Sequence, residues 1–136
     1  MLTKDRVEEL MEQHKFIDRG GAKKDTTDIR YRLYSIGTHS NLILEIGSDR
    51  GIRVLLSTKM QPLVDRLKSE GIITVDEAND FTLKEESKIK FEIERRLTPY
   101  WWAYKVGPFE EDNLLRGIEL YNMLMQWGDK EITEST

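Results

Sequence analysis

Apolar residues follow two different spacings in the first half of the chain. Over residues 4–19 they recur every three or four positions, which predicts an amphipathic helix with Thr3 as its N-cap. The residues on the apolar face of this helix are Val7, Leu10, Met11, His14 and Ile17. Gly20 and Gly21 end the helix, because glycine readily adopts the left-handed conformation that closes a helix C-terminus. Beyond the polar residues 22–28, the apolar positions alternate.

The alternating stretch predicts three β-strands, since successive side chains on a strand point to opposite faces. The residues that share a face are Ile29, Tyr31 and Leu33, then Leu42, Leu44 and Ile46, then Ile52, Val54 and Leu56. Two short segments rich in glycine and small polar residues, 37–41 and 47–51, separate the strands. Such short connections favour an antiparallel meander.

Helical spacing returns after residue 60. A helix that stops at Gly71 is predicted by three apolar residues, Leu63, Val64 and Leu67. Two capping-box patterns, Thr74–Glu77 and Thr82–Glu85, predict the starts of two further helices. A last helix over residues 110–127 has an acidic first turn, which the helix dipole favours, and Gly128 ends it.

Residues 88–94 fit either a helix or a strand. A helix would align Ile89 with Ile93 at an interval of four, whereas a strand would place Ile89, Phe91 and Ile93 on one face and four charged residues on the other. We prefer the helix, because the strand leaves the second capping box and the spacing of opposite charges without an explanation.

The predicted fold class is therefore α+β, with an N-terminal helix, a three-stranded antiparallel meander and a mostly helical C-terminal half. At 136 residues, the chain is long enough for one domain whose core needs neither a disulfide nor a metal. We place this single domain at residues 1–128 and predict a frayed polar tail at residues 129–136.

Residues 98–109 hold five of the twelve aromatic residues of the chain. Adjacent side chains diverge by about 100° on a helix and about 180° on a strand, so Trp101 and Trp102 cannot both point into one core layer. A strand would put Trp102 with Tyr104 and leave Trp101 on the other face, whereas a helix would cluster Trp101 with Tyr104. Buried Trp, Tyr and Met supply much of the affinity of interfaces. The predicted partner-binding residues are Tyr100, Trp101, Trp102, Tyr104, Phe109, Met123 and Trp127. The alternative is that the first helix of the same domain covers this run.

Composition narrows the classes of function. The chain has no cysteine, which excludes disulfides, thiolate metal ligands and a cysteine nucleophile. A charged N-terminus and the lack of an apolar run of about 18 residues lead us to expect a cytoplasmic protein with no membrane partner. Residues 1–60 carry 11 Lys and Arg against 9 Asp and Glu, and residues 61–136 carry 10 against 16. This acidic balance argues against a wholly non-specific nucleic-acid binder, although a local basic face would escape the count.

Candidate catalytic chemistry is sparse. His14 falls on the apolar face of the predicted first helix and His39 in a turn, with no second histidine at a metal-ligand spacing from either. A metal-dependent nuclease-like enzyme could be built on Glu45 and Asp49, but the lysine that such a core would place two residues after Glu45 is a glycine. We therefore assign no catalytic residue, no metal ligand and no cofactor.

One segment carries a family pattern. A predicted helix that ends at Gly71 is followed by an Ile-Thr-x-x-Glu-Ala step from Ile73 and by a further helical stretch. Over residues 63–97 this pattern resembles the helix-turn-helix segment of winged-helix DNA-binding domains. The resemblance implies that Ala78 packs between helices and that a recognition helix contacts DNA through Lys84, Ser87, Lys88 and Arg95. The segment departs from the family at Thr82, where a glycine is usual, and its acidic Glu85 and Glu86 would face phosphate.

Taken together, these patterns predict a small, non-enzymatic binding or regulatory protein that acts through the aromatic-rich surface at residues 100–127. Its partner would be another protein or a second copy, as a homo-oligomer. The alternative is a DNA-binding regulator that uses residues 74–97, and a weaker alternative is the nuclease-like enzyme.

Overall fold

An eight-stranded antiparallel sheet organises the fold in a computed structural model, which describes residues 1–20, 31–95 and 100–134. The strands are β1 (Phe16–Gly20), β2 (Arg32–Ile36), β3 (Leu42–Gly47), β4 (Gly51–Ser57), β5 (Ile73–Val75), β6 (Phe81–Leu83), β7 (Lys90–Glu94) and β8 (Trp101–Gly107). Their order across the sheet is β1-β2-β3-β4-β8-β7-β6-β5. Each half of the sheet is therefore a four-stranded meander, and the two halves join where β4 pairs with β8.

Three α-helices, α1 (Lys4–Gln13), α2 (Gln61–Ser69) and α3 (Glu111–Glu134), and one turn of 3₁₀ helix (Thr58–Met60) complete the described structure. The longest, α3, contacts the central strands β3, β4 and β8, while α1 contacts β1 and α2 contacts β5. All three helices contribute to one core with the same face of the sheet, which we call the helical face. Burial of the apolar stripe of each helix against this face is the main favourable term that holds the two layers together.

Alternation along the central strands sorts the side chains between the two faces of the sheet. The helical face receives, among others, Leu42, Leu44, Ile46, Val54, Leu56 and Trp102, all fully buried. The opposite, outer face carries a smaller apolar cluster formed by Ile43, Leu55 and Ala103, with Leu33 and Trp101 packed against it. The predicted strands of the meander are present as β2, β3 and β4, and their registers are antiparallel as expected. Ile29 lies outside the described residues.

The predicted fold class is wrong in its second half. Instead of three strands followed by mostly helical structure, the sheet has eight strands, and four of them lie between residues 73 and 107. Residues 88–94, for which we preferred a helix, contain β7. The strand interpretation is the correct one, because it lets Phe91 stack on Phe81 of the neighbouring strand, with ring centroids 4.7 Å apart.

The first capping-box pattern closes a hairpin instead of starting a helix. The carboxylate of Asp76 accepts hydrogen bonds from the backbone N–H groups of Ala78 and Asp80, which is the turn that aspartate commonly stabilises. Asn79 adopts a left-handed conformation with φ of 68°, which asparagine tolerates better than most residues. Residues 76–80 therefore reverse the chain between β5 and β6. The second and third helices implied by the helix-turn-helix resemblance are absent from residues 73–95, which form strands and turns.

The first helix ends earlier than predicted. It stops at Gln13, and Lys15 takes a left-handed conformation with φ of 65°, so that the chain turns into β1. This turn lets Phe16 reach the core, where its ring packs edge-on against Tyr121 at 4.8 Å between centroids. Ile17, predicted on the apolar face of the helix, is instead 46 % exposed on β1.

The last helix is longer than predicted. It continues through Gly128, where the backbone departs from helical geometry, to Glu134. Ile132, in the segment predicted as a frayed tail, is fully buried. Residues 135 and 136 lie outside the described part of the chain.

Candidate functional site

The two adjacent tryptophans lie on opposite faces of β8, as the strand interpretation requires. Trp102 is fully buried on the helical face, where its indole Nε1–H donates a hydrogen bond of 2.7 Å to the carbonyl oxygen of Asn79. Trp101 is half-buried against the apolar cluster of the outer face. Trp102 is therefore a core residue that no partner can reach on the folded protein, whereas Trp101 retains accessible surface.

The other predicted partner-binding residues are dispersed. Tyr100 is 41 % exposed, and the guanidinium of Arg95 lies 5.9 Å from its ring centroid. Tyr104 packs on the helical face against Phe91. Phe109 lines a depression with Leu2 and the first residues of α3. Closeness in sequence does not bring these side chains into one surface, because β8 and α3 distribute them over several parts of the molecule.

Met123 and Trp127, the last two of the predicted residues, lie together in a groove beside α3. They are four positions apart and therefore occupy one face of the helix. The groove, which we call the α3 groove, has a volume of about 320 Å³ and is lined by Gly71, Ile72, Leu83, Lys84, Glu85, Glu86, Met123 and Trp127. That volume is at the lower end of the roughly 300–1,000 Å³ of ligand pockets, so the groove suits an anchoring side chain better than a large ligand.

Backbone hydrogen bonds fix the wall of the groove opposite α3. The Ile72 N–H donates to the Leu67 carbonyl at 2.9 Å, which ties the link after α2 to the end of that helix. The Lys84 N–H donates to the Ile72 carbonyl at 3.1 Å, and the Leu83 N–H donates to the Ile89 carbonyl at 3.0 Å. These backbone hydrogen bonds form within the chain itself, so the apolar side chains of this wall are positioned before any ligand binds.

The position of Trp127 depends on the kink at Gly128. A Cβ atom at Gly128 would lie 2.5 Å from Cδ2 of Leu63, so the absence of a side chain lets α3 approach α2 closely. In a regular helix the Trp127 carbonyl would accept a hydrogen bond from the residue four positions on. Here the Arg66 guanidinium donates to this carbonyl, and its Nε also donates to the Glu131 carboxylate at 2.9 Å. Arg66 therefore joins α2 to the part of α3 that carries Trp127.

Charges surround the apolar floor of the α3 groove. Arg116 of α3 donates to both carboxylate oxygens of Glu86, at 2.6 and 2.7 Å, and this hydrogen bonding raises the pKa of Arg116. Lys84 is exposed at the rim, where its Nζ would lie 3.9 Å from a Cβ placed on Gly71. Among the residues that the structure describes, the ionisable lining residues all come from one loop, and none of the lining residues is a histidine, serine, threonine or tyrosine.

A separate polar cluster is buried between α3 and the sheet. The Tyr121 hydroxyl accepts a hydrogen bond from the Ile36 N–H at 2.8 Å and donates to the Leu42 carbonyl at 3.0 Å, so it bridges β2 and β3 beyond the pair formed by Tyr34 and Leu44. His39 is 4 % exposed, and its Nε2 lies 3.5 Å from the same hydroxyl. His39 Nδ1 and Asn41 Nδ2 have no hydrogen-bond partner within the described ranges. This cluster is enclosed and lines neither the α3 groove nor the depression at Phe109.

The residues considered for catalysis lie in three separate parts of the molecule. Glu45 is 1 % exposed on the outer face and binds Arg53 at 2.7 Å from carboxylate oxygen to Nε, and Arg53 also contacts Glu94 at 2.7 Å. Asp49 is exposed in the turn between β3 and β4. His14 is half-buried at the end of α1. Across residues 1–20, 31–95 and 100–134, no group of three or more His, Asp or Glu side chains is arranged to hold a metal ion.

The DNA-binding candidates occupy the hairpin between β6 and β7 and the residue after β7. Lys84, Ser87 and Lys88 lie in the hairpin loop and Arg95 follows the strand, all of them exposed. Glu85 and Glu86 lie in the same loop, so the loop has no net positive charge. The DNA-binding hypothesis stays a prediction without a structural observation that favours it.

The sequence contained a signal for the wall of the α3 groove that we did not use. Ile72 and Ile73 are adjacent and both apolar, and on an extended chain only one of two neighbours can enter the core. Ile73 is 1 % exposed, whereas Ile72 is half-buried in the groove. Leu83 and Arg66 carried no comparable signal, because their roles depend on the hairpin and the kink.

Within the described part of the chain, none of the helices is both long and apolar enough to cross a membrane. Comparisons of the chain with protein-family models, with curated proteins and with solved structures gave no match.

Proposed function

We propose that this chain is a non-enzymatic binding protein that holds an apolar side chain of a protein partner in the α3 groove. The observation that carries the proposal is the solvent-accessible apolar lining formed by Ile72, Met123 and Trp127, each half-buried in the folded chain. Apolar side chains left accessible in a preformed concave site are the usual anchors of interfaces, and Trp is prominent among the residues that dominate binding energy.

The chemistry of the lining favours binding over catalysis. A hydrolytic or transfer reaction needs a nucleophile or a general base within hydrogen-bond reach of the substrate. The groove offers Lys84, Glu85 and Glu86 at its rim and apolar side chains on its floor, and Glu86 is engaged by Arg116. We therefore assign the rim charges to orientation of the partner, with Lys84 facing a carboxylate that neighbours the anchoring side chain.

The proposal is tested by photo-cross-linking followed by a binding measurement. A photoreactive phenylalanine derivative at position 84 captures the partner in cells that express the full chain, and a derivative at the exposed position 115 of α3 serves as the control site. The purified partner is then titrated against the wild-type chain and Met123→Glu. We expect Met123→Glu to weaken affinity at least about tenfold, because it places a charge in an apolar contact.

Leu115→Glu is the matched control, since Leu115 is 37 % exposed on the same helix and lies outside the lining of the α3 groove. It should leave the affinity unchanged. Cross-linking to a second copy would identify the partner as self and retain the proposal. Equal binding of the wild-type chain and Met123→Glu, or no cross-link above the control site, would refute it.

A further inference from the structure

The strand β1 forms one edge of the sheet, and its outward backbone groups can be identified. The Ser57 N–H donates to the Asn41 carbonyl at 2.8 Å, so the odd-numbered residues of β3 face β4 and the even-numbered ones face β2. Tyr121 bridges Ile36 and Leu42, which places the polar groups of Ile36 on the side of β3. Antiparallel ladders alternate, so Ser35 and Ile17 form a hydrogen-bonded pair.

The polar backbone groups of Phe16 and Asp18 therefore point away from β2, toward the edge. Within the described ranges, β1 has β2 as its one neighbouring strand. Two residues separated by one position offer two N–H and two C=O groups, which is the pattern that an added antiparallel strand requires. The opposite edge, β5, has three residues.

A groove accompanies this edge on the helical face. It has a volume of about 380 Å³ and lies between α1 and β1. Its apolar lining residues are Met11, Phe16, Ile17 and Tyr34, of which all but Ile17 are buried. The carboxylates of Glu8, Glu12 and Asp18 outnumber the single amine of Lys15. Asp18 is paired with Arg32, so the carboxylates that remain to attract a ligand are those of Glu8 and Glu12.

We propose that an extended segment of a protein partner adds to β1 as a ninth strand and fills this groove. Two side chains of the segment that are two positions apart face the groove, one apolar against Met11 and Phe16 and one basic against Glu8 and Glu12. The side chain between them lies on the outer face beside Ile17, which is 46 % exposed. The recognised chemistry is an apolar-x-basic pattern in an extended chain, selected by charge complementarity and by strand pairing.

The test uses random ten-residue peptides displayed on phage and selected on the full-length chain. Selected peptides are synthesised, and their affinity is measured by fluorescence anisotropy. We expect enrichment of the alternating apolar and basic pattern. Reversing two charges with Glu8→Lys and Glu12→Lys should weaken binding at least about tenfold, because it makes the groove repel a basic side chain.

Glu77→Lys with Glu92→Lys is the matched control, since it changes the net charge equally at exposed sites away from α1. N-methylation of the peptide provides a second readout. Methyl groups on the two amides that face β1 should abolish binding, whereas a methyl group on the amide between them should be tolerated.

Peptides without alternation, no selected binder, or affinities that are indifferent to the Glu8 and Glu12 charges or to the position of the methyl group would overturn the proposal. A free chain that is dimeric in sedimentation and becomes monomeric with Ile17→Lys would assign the edge to a second copy and also overturn it. Met123→Glu should retain peptide binding, because the α3 groove lies toward the β5 edge. The two proposals therefore fail separately.

Discussion

Trp101 and Trp102 illustrate how neighbouring residues of the same type take different parts in a fold. Trp102 is enclosed by the helical-face core and donates a hydrogen bond to Asn79. Trp101 is half-buried on the outer face. The same substitution at the two positions should therefore differ in its effect on stability.

We expect Trp102→Ala to lower the free energy of unfolding by about 3–5 kcal/mol, because it removes buried surface and leaves a cavity. Trp101→Ala should lower it by less than about 2 kcal/mol, since part of that side chain is already in water. Urea denaturation followed by circular dichroism measures both. A larger loss from Trp101→Ala than from Trp102→Ala would contradict the assignment of the two faces.

His39 is a second residue whose surroundings predict a measurable property. Burial lowers its pKa below the ordinary value of 6.5, the positive charge of Arg19 lowers it further, and Asp129 partly opposes these effects. Tyr121 faces the same imidazole. The folded state therefore holds His39 neutral at pH values where the unfolded chain has begun to bind a proton.

The free energy of unfolding should consequently be independent of His39 protonation above pH 6.5. It should fall as the pH decreases from 6.5 to the lowered pKa, because the unfolded state binds more protons over this interval. The slope is at most about 1.4 kcal/mol per pH unit for one group. Unfolding free energies of a His14→Gln variant at pH 7.5, 6.5 and 5.5 measure it with a single imidazole present. Adding His39→Gln should flatten the slope; an unchanged slope would show that another group titrates.

Among the elements, those with one broad buried face could be predicted from the sequence, and the short ones could not. Residues 42–56 alternate over two strands of six and seven residues, which is long enough for a period of two to be visible. The strands β5 and β6 have three residues each, too few to distinguish alternation from a helical repeat. Whether residues 76–80 form a turn or start a helix depends on Asp76 and Asn79. Aspartate and asparagine are favoured both in turns and at helix N-termini, so the residue types do not distinguish the two.

A charged network connects three strands on the outer face. Glu45 of β3 is 1 % exposed and bonds to Arg53 of β4, which also contacts Glu94 of β7. A buried carboxylate is tolerated where a cation and hydrogen bonds compensate its lost hydration. The network therefore ties β3, β4 and β7 together in the observed alignment, in which one guanidinium reaches both carboxylates.

Arg53→Ala should lower the free energy of unfolding by about 3–5 kcal/mol, since it leaves the Glu45 charge buried without its partner. The double substitution Glu45→Ala with Arg53→Ala should cost less than Arg53→Ala alone, because no buried charge remains. Chemical denaturation of the two single variants, the double variant and the wild type gives the coupling energy. Arg116→Ala, which removes a more exposed ion pair, is the control and should have a small effect. Additive single costs would show that the pair is not coupled.

At the scale of the whole molecule, the sequence indicated both secondary-structure types, but not how the sheet is assembled. The two grooves depend on that assembly. Met123 and Trp127 meet Ile72 and Leu83 because the second meander returns beside α3, and Glu8 meets β1 because α1 ends at Gln13. Neither juxtaposition is encoded in a local spacing, so both required the tertiary structure.

The order of the strands has a further consequence for how the chain folds. Of the seven ladders between the described strands, six join strands that are consecutive in the chain, and β4–β8 is the exception. Closing a loop costs entropy that its contacts recover only after they form. Each meander can form by local pairing, whereas β4–β8 must bring together residues such as Leu56 and Trp102. We therefore expect pairing of β4 with β8 to limit the folding rate, and the middle of the sheet to close last.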